Sequence, residues 1–288
     1  MTEIPSLTAR FEEARPRLRA VAHRMLGSVD DAEDAVQEAW LRLRGDSGEI
    51  DNVDAWLTTV VARICLNMLR ARRTQDALVV QVPDPVVEPA TDPDPEHQAL
   101  LADSVGLAMF VVLETLPPAE RLALVLHDVF AVPFEDVAAI VDRTPAAARQ
   151  LASRARRRIR DAGAQPDCGL TAQREVVDAF FAAGRAGDFD RLVSVLDPEV
   201  VARGDFGPGA VRTVRGAAAV AGLAHSYAAP QRQLRDATVN GAAGVVVFVD
   251  GQATAIMGFV VRGGRVAAID VLADPARIAR IDLTAVAG

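Results

Sequence analysis

The stretch LPPAERLALVLHDVFAVPFEDVAAIVDRTPAAARQLASRARRRIR, Leu116 to Arg160, decides how this chain is read. After Leu116-Pro117-Pro118, where proline suits the first turn of a helix, an apolar helix is expected from Ala119 to about Val129, broken by Ala131-Val132-Pro133. A second helix over Phe134 to Val141 turns Val137, Ala138, Ile140 and Val141 inward. Asp142-Arg143-Thr144 makes a tight turn, with Thr144 placed to cap the next helix and Pro145 to open it. That last helix carries Arg149, Gln150, Ser153, Arg154, Arg156, Arg157, Arg158 and Arg160. A basic helix by itself is often only a solvated face. Preceded by a short helix and a tight turn, it fits the helix-turn-helix arrangement that lays its second helix in the DNA major groove.

Working outward, the 288 residues carry a formal net charge of −8, which at first sight argues against a nucleic-acid partner. The distribution reverses that impression. Between Asp76 and Glu120 there are acidic residues and no arginine, whereas the segment from Arg121 to Gly169 is rich in arginine. No apolar run approaches the roughly 20 residues of a membrane span, and the first residues, with Glu3, Arg10, Glu12 and Glu13, lack the apolar core of a signal peptide. A cytoplasmic protein with no membrane partner is expected. Cys65 and Cys168 are the only cysteines, too few for a disulfide scaffold or a cysteine-rich zinc site. No metal, cofactor or catalytic residue is indicated.

Composition divides the chain into a helical block over 1–75, an acidic Pro-rich connector over 76–101, a second helical block over 102–163 and an α+β block over 170–288. The connector contains Pro83, Pro85, Pro89, Pro93 and Pro95, so it is neither a regular helix nor a central strand. It is expected to be extended and solvated. In the first block, Ser28 with Asp31 and Asp30 with Glu33 stand at capping spacing. Ala32, Ala35, Val36, Ala39, Trp40 and Leu43 then form a buried face, leaving Asp31, Asp34, Gln37, Glu38 and Leu41 outward. A third helix begins near Asn52 and gathers Arg63, Arg70, Arg72 and Arg73 towards its end. In the last block, Asn240-Gly241, Asp250-Gly251 and Gly263-Gly264 mark three hairpin turns between strands, after helices near 171–186 and 189–196.

Asp30 to Trp40, Trp56-Leu57, the Leu116-Pro117-Pro118 motif and the terminal helix pair, in this order, resemble an extracytoplasmic-function (group IV) sigma factor of bacterial RNA polymerase. The resemblance implies two all-α domains, the second a helix-turn-helix, and partners in core polymerase (the β′ clamp helices and the β flap) and promoter DNA. Asp31, Asp34, Gln37, Glu38 and Leu41 would bind the core. Asn52, Arg63, Arg70, Arg72 and Arg73 would serve the −10 element. Thr144, Arg149, Gln150, Ser153, Arg154 and Arg157 would serve the −35 element, with Arg156 to Arg160 nearer the phosphates. The physical logic agrees: carboxylates need a basic protein surface, whereas arginines gain by releasing counterions from DNA. The acidic connector would lie in a channel built for RNA.

The α+β block resembles a SnoaL-like domain of the NTF2-like superfamily, an α+β cone, and the whole order is similar to the SigJ-like group of sigma factors that carries such an extension. Three short stretches bear this out in altered form: Gln81-Val82-Pro83-Asp84-Pro85, Asp205-Phe206-Gly207-Pro208-Gly209-Ala210, and Asp274-Pro275-Ala276-Arg277-Ile278. Asp205, Gly207, Gly209, Asp274 and Pro275 are the regulatory motif positions, and the group implies an intramolecular contact between this domain and the sigma core. Two alternatives stay open. The chain is a helix-turn-helix regulator independent of polymerase, or its cone senses a ligand or acts as a cyclase or isomerase through Asp205, His225, Tyr227 or Asp270.

Overall fold

Three helix boundaries near the start of the chain have a local cause. The computed structural model describes residues 7–45, 50–75, 82–90, 112–113, 115–162, 166–227 and 231–287. The chain divides into two compact units, Met1–Leu78 with Thr115–Arg158 and Val79–Glu114 with Ile159–Gly288. In the first unit α1 (Leu7–Leu26) ends where Gly27 turns left-handed, φ +72°, and donates to His23 O at 2.8 Å. Ser28 caps α2 (Val29–Gly45), its Oγ accepting the Asp31 N–H at 3.3 Å. Asn52 caps α3 (Val53–Gln75) through the Ala55 N–H at 3.0 Å. Leu18, Val21, Met25, Ala32, Val36, Leu43, Leu57 and Val61 are buried between these helices. Trp40 packs on Phe11, ring centroids 4.7 Å apart.

The single helix expected from Ala119 to Val129 is two pieces: α4 (Pro118–Leu124) and a π turn, Val125–Val129. The extra residue in that turn changes which side chains face α5 and α6. His127 stacks on Phe134 at 3.7 Å between centroids, and Asp128 accepts from Arg156 Nε and Nη2 at 2.6 and 2.7 Å. Ala131, φ +54°, closes the turn, and Val132 N–H reaches Leu126 O at 2.9 Å. Then come α5 (Phe134–Val141), left-handed Asp142 and α6 (Pro145–Asp161), capped as expected by Thr144 Oγ1 accepting the Ala147 N–H at 3.3 Å. Both helical blocks contribute to this unit. Arg121, 1% exposed, donates to Arg24 O at 3.3 Å, and Arg72 donates to Leu26 O at 3.2 Å. Two guanidinium groups thereby serve carbonyls at the negative end of α1.

The second unit is a seven-stranded sheet in the order β1-β4-β5-β6-β7-β2-β3. Its strands are β1 (Val87–Pro89), β2 (Leu196–Asp205), β3 (Val211–Arg215), β4 (Arg232–Val239), β5 (Ala242–Val249), β6 (Gln252–Arg262) and β7 (Arg265–Leu272). The three hairpin dipeptides all have φ positive at both residues, as the sequence requires. β4 to β7 form the expected antiparallel run, while β2 pairs with β7 in parallel. One face packs on α7 (Leu170–Ala186), α8 (Phe189–Val195) and α9 (Ala217–Tyr227), with Val177, Phe180, Phe181, Met257, Phe259 and Ile269 in the interior. The other face buries Val246, Phe248, Ile256 and Leu272 against Ile278 of α10 (Pro275–Ile278) and Val286 of α11 (Thr284–Ala287). With both faces covered, β5 reads as one apolar run rather than an alternation.

Part of the connector departs from expectation. Residues 82–90 are not a solvated spacer: Val82 to Pro85 are buried, and β1 pairs antiparallel with β4 in the register Val87↔Val239, Glu88↔Thr238, Pro89↔Ala237. The prolines fit because β1 is an edge strand, where a missing N–H costs no ladder bond. Residues 91–101 lie outside the described residues, and the second helical block joins the first unit from Thr115 rather than from residue 102.

Asp128→Ala should destabilise the first unit by about 1–2 kcal/mol, because it removes a charge-assisted bidentate contact that is only partly exposed. Trp40 and Trp56, the chain's two tryptophans, both lie in that unit. Their fluorescence in urea isolates its transition, and an unchanged midpoint would contradict the pairing.

Candidate functional site

Three surfaces carry the residues singled out by sequence. On α2, burial of Ala32, Ala35, Val36, Ala39 and Leu43 fixes the helix phase. Asp34, Gln37, Glu38 and Leu41 then share the exposed face at intervals of three and four. Leu41 is 58% exposed, an apolar side chain among carboxylates. Glu38 pairs with Arg42 at 2.5 Å on the same helix, an exposed pair of small energetic weight. Asp31 belongs elsewhere: half-buried, it forms an ion pair with Arg72 of α3. That pair joins one residue of the set expected to face core polymerase to one of the set expected to face DNA, where α2 and α3 cross beside the end of α1.

Along α3, the side chain of Asn52 is a helix cap, and Arg63 donates to Ala139 O at 3.1 Å. Arg70 is exposed, and the side chain of Arg73 lies outside the described residues.

On α6, Ala148, Ala152, Ala155 and Ile159 are buried. Arg149, Gln150, Ser153, Arg154 and Arg157 are exposed, and so is Thr144 just before the helix. Arg154, Arg157 and Arg160 make no side-chain hydrogen bond or ion pair among the described residues. Arg156 and Arg158, expected near phosphate, each have an acidic partner on α4 or the π turn. Arg156 is held by Asp128, a hydrogen bond that raises its pKa further, and Arg158 Nε lies 3.2 Å from the buried Glu120 carboxylate. Helical phase separates the two groups, since positions 156 and 158 meet α4 and the π turn.

The third surface joins the three short motifs. Asp205, 1% exposed, accepts from Gly207 N–H at 3.1 Å, from Val82 N–H at 3.3 Å and from Arg277 Nη1 at 2.8 Å. Arg277 also reaches Asp84 Oδ1 at 2.6 Å and Val82 O at 2.5 Å. Asp274 caps α10 through the Ala276 N–H at 2.9 Å, with Pro275 at the first helical position. Gly207 holds φ +114° and Gly209 φ +73°, in the loop that turns Asp205 towards the connector. These motif residues therefore contact the connector, within the second unit. Asp84 and Arg277 were absent from the expected site. Their signal was position alone: an acid between two prolines, and the one cation of its motif.

The cone itself is filled. Phe180, Phe181 and Phe259 meet edge to face with centroids 5.3–5.9 Å apart, and Met257 packs in the same interior. Asp270 is buried beneath Arg203, which donates at 2.6 and 3.2 Å; burial pushes the carboxyl up and Arg203 opposes that shift. Asp205 is committed to the clamp, and the side chains of His225 and Tyr227 lie outside the described residues. A cavity of about 580 Å³ opens elsewhere, along Val201, Arg203, Arg262 and Ala268. Burial pushes the Cys65 thiol up to about 12, far from a reactive thiolate. No metal-binding cluster occurs among the described residues, and no described helix is long and apolar enough to cross a membrane.

Family models match both helical blocks. Residues 10–75 match Sigma-70 region 2, and residues 108–159 match Sigma-70, region 4. The chain is 42% identical over 288 residues to the ECF RNA polymerase sigma factor SigJ of Mycobacterium tuberculosis, covering 92% of this chain and 91% of that protein. It is 33% identical over 285 residues to the probable ECF RNA polymerase sigma factor SigI of the same species, covering 96% and 97%. The crystal structure of M. tuberculosis SigJ aligns with a TM-score of 0.72 at 41% identity, over 96% of this chain and 99% of that one.

Arg277→Ala should release residues 82–90 from the sheet. It leaves two buried carboxylates without their cation, a loss of about 3–5 kcal/mol for such a pair. Hydrogen exchange at the Val82 and Val86 amides should accelerate while the β5 and β6 amides stay protected; unchanged exchange at Val82 would remove Arg277 from the clamp.

Proposed function

The chain belongs to the extracytoplasmic-function sigma factors of bacterial RNA polymerase, which direct the core enzyme to promoters, and from that premise we propose how its surfaces divide the work. Asp34, Gln37, Glu38 and Leu41 of α2 bind the β′ clamp helices: the carboxylates select a basic partner and Leu41 supplies apolar contact. Arg70 and the neighbouring end of α3 serve the −10 element. The exposed face of α6, with Thr144, Arg149, Gln150, Ser153, Arg154 and Arg157, reads the −35 element in the major groove, and the unit formed by α4 to α6 takes the β flap. The protein works in the cytoplasm with polymerase, by binding alone and without chemistry of its own.

The observation that carries this reading is the separation of exposed charge. An acidic, leucine-bearing stripe is exposed on α2, and Arg149, Arg154 and Arg157 are exposed on α6. A polymerase-independent regulator has no use for the first.

The C-terminal unit regulates in cis, and the support for this is the clamp. The clamp holds residues 82–90 of the connector on the sheet. Release of the clamp frees the acidic connector for the RNA channel and lengthens the reach between the two promoter-binding blocks.

Run-off transcription with purified bacterial core enzyme tests the whole reading. Initiation from a genomic fragment library is expected, and its complete absence with both the full chain and a chain ending near Gly169 would refute it. Glu38→Arg should weaken core binding at least tenfold in a titration of labelled protein, with the folding transition unchanged. Arg154→Ala should cost about 1–3 kcal/mol in upstream-element binding if it reads a base, whereas Arg157→Ala on a phosphate should lower the salt dependence by about one contact.

A further inference from the structure

Arg149 differs from Arg154, Arg157 and Arg160 of α6. Those three make no side-chain hydrogen bond or ion pair among the described residues, whereas Arg149 is braced from α5 on two sides. Its guanidinium lies over the Phe134 ring, 5.5 Å from the centroid, and Nη2 meets Glu135 Oε1 at 3.1 Å. Phe134 is itself fixed, because the His127 ring stacks on it at 27° and 3.7 Å, and His127 Nδ1 lies 3.0 Å from Val132 O. The π turn and left-handed Ala131 bring His127 to that place.

Both partners of the Arg149–Glu135 pair are more than half exposed, at 56% and 63%, so the pair adds little to stability. Its effect is to restrict a long side chain before DNA arrives, and side-chain ordering is one of the costs of association. A guanidinium has five N–H donors arranged as a fork, and the brace occupies one nitrogen of Arg149.

We propose that Phe134 and Glu135 are positioning residues for Arg149, holding its guanidinium so that it reads one guanine of the upstream promoter element. The proposal rests on α6 being the major-groove helix. Guanine is the base whose major-groove edge offers two acceptors, O6 and N7, matched to the arginine fork. Glu135 adds discrimination, since a phosphate approaching the same guanidinium meets a carboxylate beside it.

The test is selection of duplexes randomised across the upstream element by the full chain bound to core polymerase, followed by sequencing. The unsubstituted chain should enrich guanine at one position, and Arg149→Ala should lose that enrichment. Phe134→Leu and Glu135→Ala should each lower it about fivefold or more, the lower end for one bidentate contact, with other positions unchanged. Phe134→Tyr, which keeps the ring, should retain it. A folding defect in Phe134→Leu would flatten all positions together, and exposed Glu135→Ala then decides. If Glu135→Ala keeps full enrichment while Arg149→Ala abolishes it, the positioning proposal is overturned and the reading of α6 stands. If Arg149→Ala changes no position, the reading of this turn of α6 fails, and the proposal with it.

Discussion

Arg277 places one guanidinium between the carboxylates of Asp84 and Asp205 and against the carbonyl of Val82. Both carboxylates are buried, and without a cation between them their desolvation and mutual repulsion would push the connector away. With the cation present, residues 82–86 are fixed, Val86 and Asn240 exchange hydrogen bonds at 2.6 and 2.8 Å, and β1 falls into register on β4. Pro83 and Pro85 assist by restricting φ in the unbound chain, so less conformational entropy is lost on docking. A connector between two helical blocks thereby becomes the edge strand of a third structure.

The same chemistry recurs throughout, because every cationic side chain of the 31 is arginine. A planar fork can serve carbonyls and carboxylates inside the protein as readily as phosphate or guanine outside it. Arg72 and Arg121 close the end of α1, Arg174 donates to Gly244 O and Ala237 O, and Arg203 lies on Asp270. The net charge of −8 therefore says little about nucleic-acid binding. What matters is which guanidinium groups have no internal partner, and on α6 those are grouped on one face.

Local signals were legible in the sequence and tertiary ones were not. Ser28, Asn52 and Thr144 act as caps where spacing placed them, and the three hairpin dipeptides adopt the backbone that Asn-Gly, Asp-Gly and Gly-Gly favour. Each of these is decided within four residues. The π turn was hidden because nothing in 125–129 departs from a helical pattern, and the contacts it makes, His127 with Phe134 and Asp128 with Arg156, lie outside the segment. In the same way nothing near Asp31 announces Arg72, and nothing near Asp84 announces Arg277, 193 residues away. The site was therefore legible as a set of faces, while the division of arginines into internal and external ones needed the packing.

Under the proposed regulation, the stability of the clamp sets how strongly the C-terminal unit opposes polymerase. A partner that needs the connector free binds with an affinity reduced by the fraction of molecules in which it is free. A clamp of about 3 kcal/mol lowers that fraction to below one in a hundred, since each 1.4 kcal/mol is tenfold. Such an opposition is within reach of the free energies of protein association, which for nanomolar complexes exceed 12 kcal/mol. On that proposal the clamp would act as a graded threshold: weakening Arg277 or its two carboxylates would raise apparent affinity for core enzyme while the contact residues of α2 and α6 stay unaltered.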